Sequence, residues 1–227
     1  MDIEQNLGQV RSRIGQAALA AGRSPDEIKL LAVSKTMPSS VIAEAWQAGQ
    51  RVFAENRVQE WQEKVSLLPP DCEWHLIGRL QTNKVKYLDG RVTLIHSLDR
   101  FSLLAELEKQ GFKHGHTFST LLQVNTARDQ AKAGLLKEET EDFLTAVKDY
   151  PHVRVLGLMT IGALEASTAE TQGFFRELRL LRDSLQQRVY PGVEMRELSM
   201  GMSQDFELAI AEGATMVRVG RQIFGAR

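Results

Sequence analysis

What this 227-residue chain has little of narrows its class quickly. It holds one cysteine, Cys72, which cannot close a disulfide within the chain and suits a reducing compartment. Lys and Arg number 28 against 29 Asp and Glu, so there is no surplus of positive charge to draw nucleic acid or an anionic membrane surface. No apolar run approaches the roughly 20 residues that cross a bilayer. The opening segment, Met1 to Arg11, is polar and amphipathic and lacks the apolar stretch of a secretory signal. These absences predict a cytoplasmic chain whose partner is a small molecule, with neither nucleic acid nor membrane involved.

What is present is ordinary globular material: 43% hydrophobic and 25% charged residues, enough to bury a sizeable core. No composition shift, linker or low-complexity stretch divides the chain, so one domain over residues 1–227 is expected.

The hydrophobic pattern alternates between two periods. Ile3, Leu7, Val10 and Ile14 share one face of a helix running to about Ala21, where Gly22 stops it. Ser24-Pro25-Asp26-Glu27 carries the signals of a single capped turn. Apolar runs follow at 28–33, 51–53, 73–77, 92–97, 118–124, 153–159, 195–199 and 215–219, short and nearly continuous, as strands covered on both faces require. Between them lie helical stripes: Val41, Ile42, Ala45 and Trp46; Val58, Trp61, Val65 and Leu68; Phe101, Leu104 and Leu107; Phe143, Leu144 and Val147; Phe174, Leu178, Leu181 and Leu185. Eight strands with helices between them predict an α/β fold, a single (β/α)8 TIM barrel, with an open doubly wound sheet as the rival. The chain ends soon after the eighth strand, so the N-terminal helix is expected to cover the place of a closing helix.

In such barrels the chemistry sits at the C-terminal strand ends, and polar residues gather there. The first strand ends in Ser34-Lys35-Thr36, the second runs into Glu55-Asn56, and the third carries His75 ahead of Gly78. Asn125 and Thr160 close the fifth and sixth, Ser199-Met200-Gly201-Met202-Ser203 the seventh, and Arg218-Val219-Gly220 the eighth. Lys35 follows an apolar run, so its amine is expected at a confined mouth where desolvation favours the neutral, nucleophilic form that condenses with carbonyl groups. An exposed or salt-bridged Lys is the plainer alternative. The segment from Ser199 to Ser203 precedes a helical pattern, and with Gly220 it occupies the two loops that most often hold phosphate in barrels; an ordinary helix cap is the alternative. Arg218 sits among apolar residues and must find a partner, either a carboxylate such as Glu55 or Glu73 or a ligand atom. His75 reads as a core histidine or as a catalytic base, and Trp46 and Trp61 as packing.

These segments, with Val58-Gln59-Glu60, Trp74-His75-Leu76-Ile77-Gly78, Leu80-Gln81 and Asn83-Lys84, resemble the YggS/PROSC family of pyridoxal phosphate homeostasis proteins over nearly the whole chain. The resemblance implies the alanine racemase N-terminal-like barrel, the type III pyridoxal phosphate fold, with pyridoxal 5'-phosphate as cofactor. It implies that Lys35 forms the covalent aldimine (a Schiff base), that Arg218 faces the pyridine nitrogen, and that Ser199, Met200, Gly201, Ser203 and Gly220 cradle the phosphate. Asn56 and His75 would line the cofactor face. It further implies a role in vitamin B6 homeostasis, as carrier or regulator without established turnover and with no catalytic or metal-binding residue, with apoenzymes as possible recipients of the cofactor. A monomer is expected.

Some positions depart from the family pattern. Ala54 and Arg57 stand where Gly and Tyr are usual around Glu55-Asn56, Arg221 where a small hydroxyl residue is common, and Met37 where a second Lys is frequent. Lys132 does match a family Lys, with an exposed loop residue as its plainer reading. The rival function is a pyridoxal phosphate-dependent amino-acid racemase. That reaction needs a second base, which alanine racemases supply as a Tyr from a separate domain. Here the tyrosines are only Tyr87, Tyr150 and Tyr190, none at an expected strand end.

Overall fold

The apolar runs close into a ring. In the computed structural model, which describes residues 2–129, 131–163 and 166–225, eight parallel strands pair in chain order, β1 to β8, and β1 pairs with β8 to complete a barrel. The strands are β1 (Lys29–Val33), β2 (Val52–Glu55), β3 (Glu73–Leu76), β4 (Val92–Leu98), β5 (Phe118–Gln123), β6 (Val153–Met159), β7 (Val193–Met202) and β8 (Met216–Val219). The helices are α1 (Ile3–Ala20), α2 (Ser39–Gln47), α3 (Val58–Val65), α4 (Phe101–His114), α5 (Thr140–Ala146), α6 (Thr168–Gln186), α7 (Phe206–Ala211) and α8 (Arg221–Phe224). The open-sheet rival is thereby set aside, and every expected strand is found.

Strand alternation divides the apolar side chains into two cores. Leu31 and Val33 of β1 point inward and meet Val52, Ala54, Leu94, Leu121, Met159 and Met216 in the lumen. Leu30 and Ala32 point outward into the larger layer between strands and helices, with Trp61, Trp74, Phe143, Phe175 and Phe206 among its buried members. Burying each such side chain contributes about 1.5–3 kcal/mol.

α1 starts at Asp2, whose side chain accepts the Gln5 amide at 2.9 Å, and buries Ile3, Leu7, Val10, Ile14 and Ala18. It lies against α7 and α8, with Asn6 Nδ2 donating to Ile223 O at 3.0 Å and Arg13 paired with Glu207. It thus occupies the place of a closing helix, as expected from the short C-terminal segment. Ser24 and Glu27 form the anticipated capping box over a 3-10 turn, Pro25–Glu27.

Four readings shift. The buried position in α6 is Phe175, with Phe174 half-buried, and in α4 Leu103 is buried while Phe101 is 50% exposed. Phe101 opens α4 at its exposed first turn, and in α6 two adjacent phenylalanines compete for one core-facing position, which Phe175 takes. Trp46 packs only in part, and its Nε1 donates to Asp71 at 2.8 Å. β7 is also longer than the apolar run, because Glu194 and Arg196 alternate outward and hide its beginning.

Candidate functional site

Closure of β1 against β8 brings the ends of the first and last strands together at one mouth. Leu31 pairs with Arg218 and Ala32 with Val219, which sets Gly220 alongside Val33, two residues before Lys35. Lys35 is half-buried at the C-terminal end of β1, within the turn that leads to α2. The same mouth holds a cavity of about 310 Å³, lined by residues from the ends of five strands, among them Asn56, Gly78, Asn125, Ile161 and Arg218. That volume suits one small ligand. Lys132 also lines it, donating to Gly162 O at 2.8 Å.

Arg218 is 5% exposed and finds neutral acceptors rather than a carboxylate: Ser199 Oγ at 2.7 Å and Thr160 O at 2.9 Å. The carboxylates available to it by sequence are engaged elsewhere, Glu55 with Lys64 and Glu73 with Lys29. Burial pulls its guanidinium down to about 10, with Asp205 acting in the opposite sense, and it stays cationic at neutral pH. A buried cation on the wall of a cavity is a built electrostatic feature, costly unless something uses it.

Below Arg218 a polar chain descends into the lumen. Ser199 Oγ lies 2.9 Å from His96 Nδ1, and His96 Nε2 lies 2.9 Å from His75 Nδ1. Arg218 can only donate, so Ser199 turns its own proton to His96 Nδ1, and His96 then donates from Nε2 to His75. This assignment satisfies every group except His75 Nε2, which is buried without a hydrogen-bond partner. Burial drives the His75 imidazole down to about 3, and burial with the nearby His75 and Arg218 holds His96 well below its ordinary value. Both rings are therefore neutral around pH 7. The unfolded chain protonates them near 6.5 while the fold does not, so they contribute stability above about that pH that is lost as pH falls below it. Imidazole NMR shifts that stay flat from about pH 8 to about pH 5 are the expected result; titration of either ring within that window would contradict the assignment.

The glycine-bearing end of β7 is shaped by close packing on α7. Gly201 has φ 89, and a Cβ there would come within 2.6 Å of Ala209 Cβ and 2.9 Å of Phe206 Cα. The turn is closed by Asp205, whose Oδ1 accepts the Met202 amide at 2.5 Å. Ser203 is the hinge to β8: its Oγ accepts the Gly220 amide at 3.4 Å and its carbonyl accepts Gln222 Nε2 at 2.6 Å. A hydrogen bond of 3.4 Å is long, so the Gly220 amide is weakly held and available to a better acceptor.

The structure thus gathers Lys35, Asn56, Arg218, Ser203, Gly201 and Gly220 around the mouth. It sets three expected site residues elsewhere. His75 is 1% exposed and separated from Arg218 by His96 and Ser199. The Ser199 hydroxyl faces Arg218 and His96 rather than the end of β7 at Gly201. The Met200 side chain is buried in the outer core, leaving only its backbone to a ligand. His96 escapes sequence reading, since a lone His inside an apolar strand reads as filler; its place two residues from inward-facing Leu94 is the one signal that could have found it. Lys64, beneath the Lys35 turn, is likewise missed. Among the described residues no cluster of His, Cys, Asp or Glu could hold a metal ion, and no helix is long and apolar enough to cross a membrane.

The chain belongs to the alanine racemase N-terminal domain family, which matches residues 3–227. Within that class it is 47% identical over 228 residues to a pyridoxal phosphate homeostasis protein of Aquifex aeolicus (strain VF5), covering 100% of this chain and 99% of that one. PipY of Synechococcus elongatus PCC7942, a COG0325 family member solved with PLP bound, aligns with a TM-score of 0.85 at 38% identity, over 98% of this chain and 100% of PipY. An alanine racemase from Corynebacterium glutamicum shares the fold at 15% identity with a TM-score of 0.69; all of this chain aligns, on 61% of that enzyme.

Proposed function

We propose that this chain binds pyridoxal 5'-phosphate covalently through Lys35 and serves vitamin B6 homeostasis in the cytoplasm, as a monomeric carrier or regulator without turnover of its own. The observation that carries the reading is the placement of a half-buried lysine in the turn after β1, at the strand end that pairs with β8 ahead of Gly220, with the buried cation of Arg218 lining a cavity at the same end of the barrel. The names of the relatives and the PLP-bound PipY structure support it.

The residues fit the group. The cofactor, when bound, supplies an aldehyde that an amine captures reversibly. Lys35 provides the amine. Backbone N–H groups at Gly201 and Ser203, at the end of β7, and at Gly220, just before α8, would hold the phosphate. Arg218 keeps a positive charge against the pyridine nitrogen and so keeps that nitrogen unprotonated, which makes the bound group a weak electron sink. That suits storage better than turnover. Asn56 borders the mouth, and apoenzymes are the recipients the reading implies.

A racemase needs a second acid or base across the cofactor. Tyr87 sits in a 3-10 segment, Thr82–Tyr87, while Tyr150 and Tyr190 are half-buried against the outer core. The test is direct. Purified protein mixed with pyridoxal phosphate is expected to develop a visible absorption band, and borohydride reduction followed by peptide mapping to place the label on Lys35. A label on another lysine would overturn the assignment, and sustained racemisation above the free-cofactor rate would favour the racemase reading.

A further inference from the structure

Lys35 occupies the second position of a tight turn whose Ser34 carbonyl accepts the Met37 amide at 3.0 Å. The third position, Thr36, has φ 65, a conformation that turns of this kind normally reserve for Gly. A β-branched residue does not stay there unaided.

The aid comes from α3 and β2. Glu60 Oε2 accepts the Thr36 amide at 2.7 Å. Lys64 Nζ donates to Ser34 O at 3.0 Å and to Glu55 Oε1 at 2.7 Å, and that same oxygen accepts Ser34 Oγ at 2.7 Å. Lys64 also lies 3.6 Å from Glu60, one helical turn back. The backbone on each side of Lys35 is therefore gripped from outside the barrel by one connected set of charges. Lys64 and Glu55 are 6% and 0% exposed, so the inner part of the grip is rigid. Glu60 stands at its outer edge and lines a cleft of about 660 Å³ that adjoins the mouth at Asn56 and Gly78.

We propose that Glu60, anchored through Lys64 and Glu55, is a positioning residue that clamps the Lys35 turn in its left-handed conformation and thereby aims the amine into the mouth. The proposal rests on the reading that Lys35 takes the cofactor. Glu60 itself touches no ligand; it acts through the Thr36 amide. A carboxylate accepting a backbone N–H is a charge-assisted bond, stronger than a neutral one. Although burial works against the Glu60 charge, the bond from Thr36 and the nearby Lys64 outweigh it and hold the carboxyl below its usual range.

The experiment compares Glu60→Ala, Glu60→Gln, Thr36→Gly and the Glu60→Ala/Thr36→Gly double variant, each titrated with pyridoxal phosphate by absorption. Hydrogen exchange at the Thr36 amide of the apoprotein is measured in parallel. Glu60→Ala is expected to weaken apparent affinity about tenfold, the worth of one charge-assisted hydrogen bond, and to speed Thr36 exchange, with little change in melting temperature. Glu60→Gln keeps an oxygen acceptor and loses less. Thr36→Gly, which takes a positive φ without help, is expected to restore most of the affinity in the double variant. Wild-type affinity in Glu60→Ala, or losses in the two single variants that simply add, would overturn the clamp. A reduced label away from Lys35 in the wild type would instead overturn the cofactor reading, while Thr36 exchange in apoprotein still reads the clamp.

Discussion

Lys35→Ala is expected to fold normally and to trap no pyridoxal phosphate on borohydride reduction. The packing of β1 belongs to Leu31 and Val33 in the lumen and to Leu30 and Ala32 outside it, so loss of a half-buried side chain in the following turn leaves the core intact. Substitutions of that kind usually change stability by about 0.5 kcal/mol or less. Arg218 and the segments proposed to hold the phosphate remain in place, and weak reversible binding through them is expected to persist. Without the covalent bond apparent affinity falls by about two orders of magnitude, close to 3 kcal/mol. The measurement is the visible band together with the mass of the reduced protein. Lys132 supplies the control, since it lines the same cavity: Lys132→Ala is expected to keep the label, and a label retained in Lys35→Ala but lost in Lys132→Ala would exchange their roles.

The largest stability effect is expected from Lys64→Met. Glu55 is fully buried, and its Oε1 is satisfied by Lys64 and Ser34 while its Oε2 has no hydrogen-bond partner. Burial already raises the Glu55 carboxyl against the opposing hydrogen bonds from Lys64 and Ser34. Removing the cation strands a carboxylate in the interior, and breaking a buried pair in this way costs about 3–5 kcal/mol. The sign with pH follows from the raised carboxyl. Its folded form prefers the proton, so the penalty is smallest near and below 4.5, the ordinary Glu value, and grows as pH rises above it. Denaturant midpoints at neutral and acid pH check both statements. The double variant Glu55→Gln/Lys64→Met is expected to recover much of the loss, because a neutral amide is far cheaper to bury than an unpaired charge. A single variant as stable as wild type would show that water reaches Glu55.

The barrel was legible because its physics is local. Strands covered on both faces must be apolar throughout, and β1 and β6 announce themselves in that way. The mouth was legible for a related reason: a polar residue directly after an apolar strand has one place to go, so Lys35, Asn56 and Gly220 could be set together before any coordinates. Partners were harder to read. Arg218 in sequence offers a choice between a carboxylate and a ligand atom as its partner, and two neutral oxygens on β7 and after β6, which the sequence does not suggest, hold it. Those neighbours exist only once the ring has closed. His75 to His96 is a contact across β3 and β4, and Lys64 to Ser34 joins α3 to the end of β1; neither has a spacing that periodicity could expose. Phe101 and Phe174 show the opposite limit, where periodicity names the correct helix but is a residue or two out on the buried face.

The seam between β1 and β8 has a thermodynamic meaning beyond geometry. The mouth is assembled from the first strand made and the last, so no partly synthesised chain presents a complete binding surface. A molecule lodged across that junction recognises the finished ring alone and acts as a staple on it, and the stabilisation it gives rises with the logarithm of its free concentration. On the proposed cofactor reading, supply of the vitamin and persistence of the folded protein are linked, so that scarcity leaves the ring without its staple.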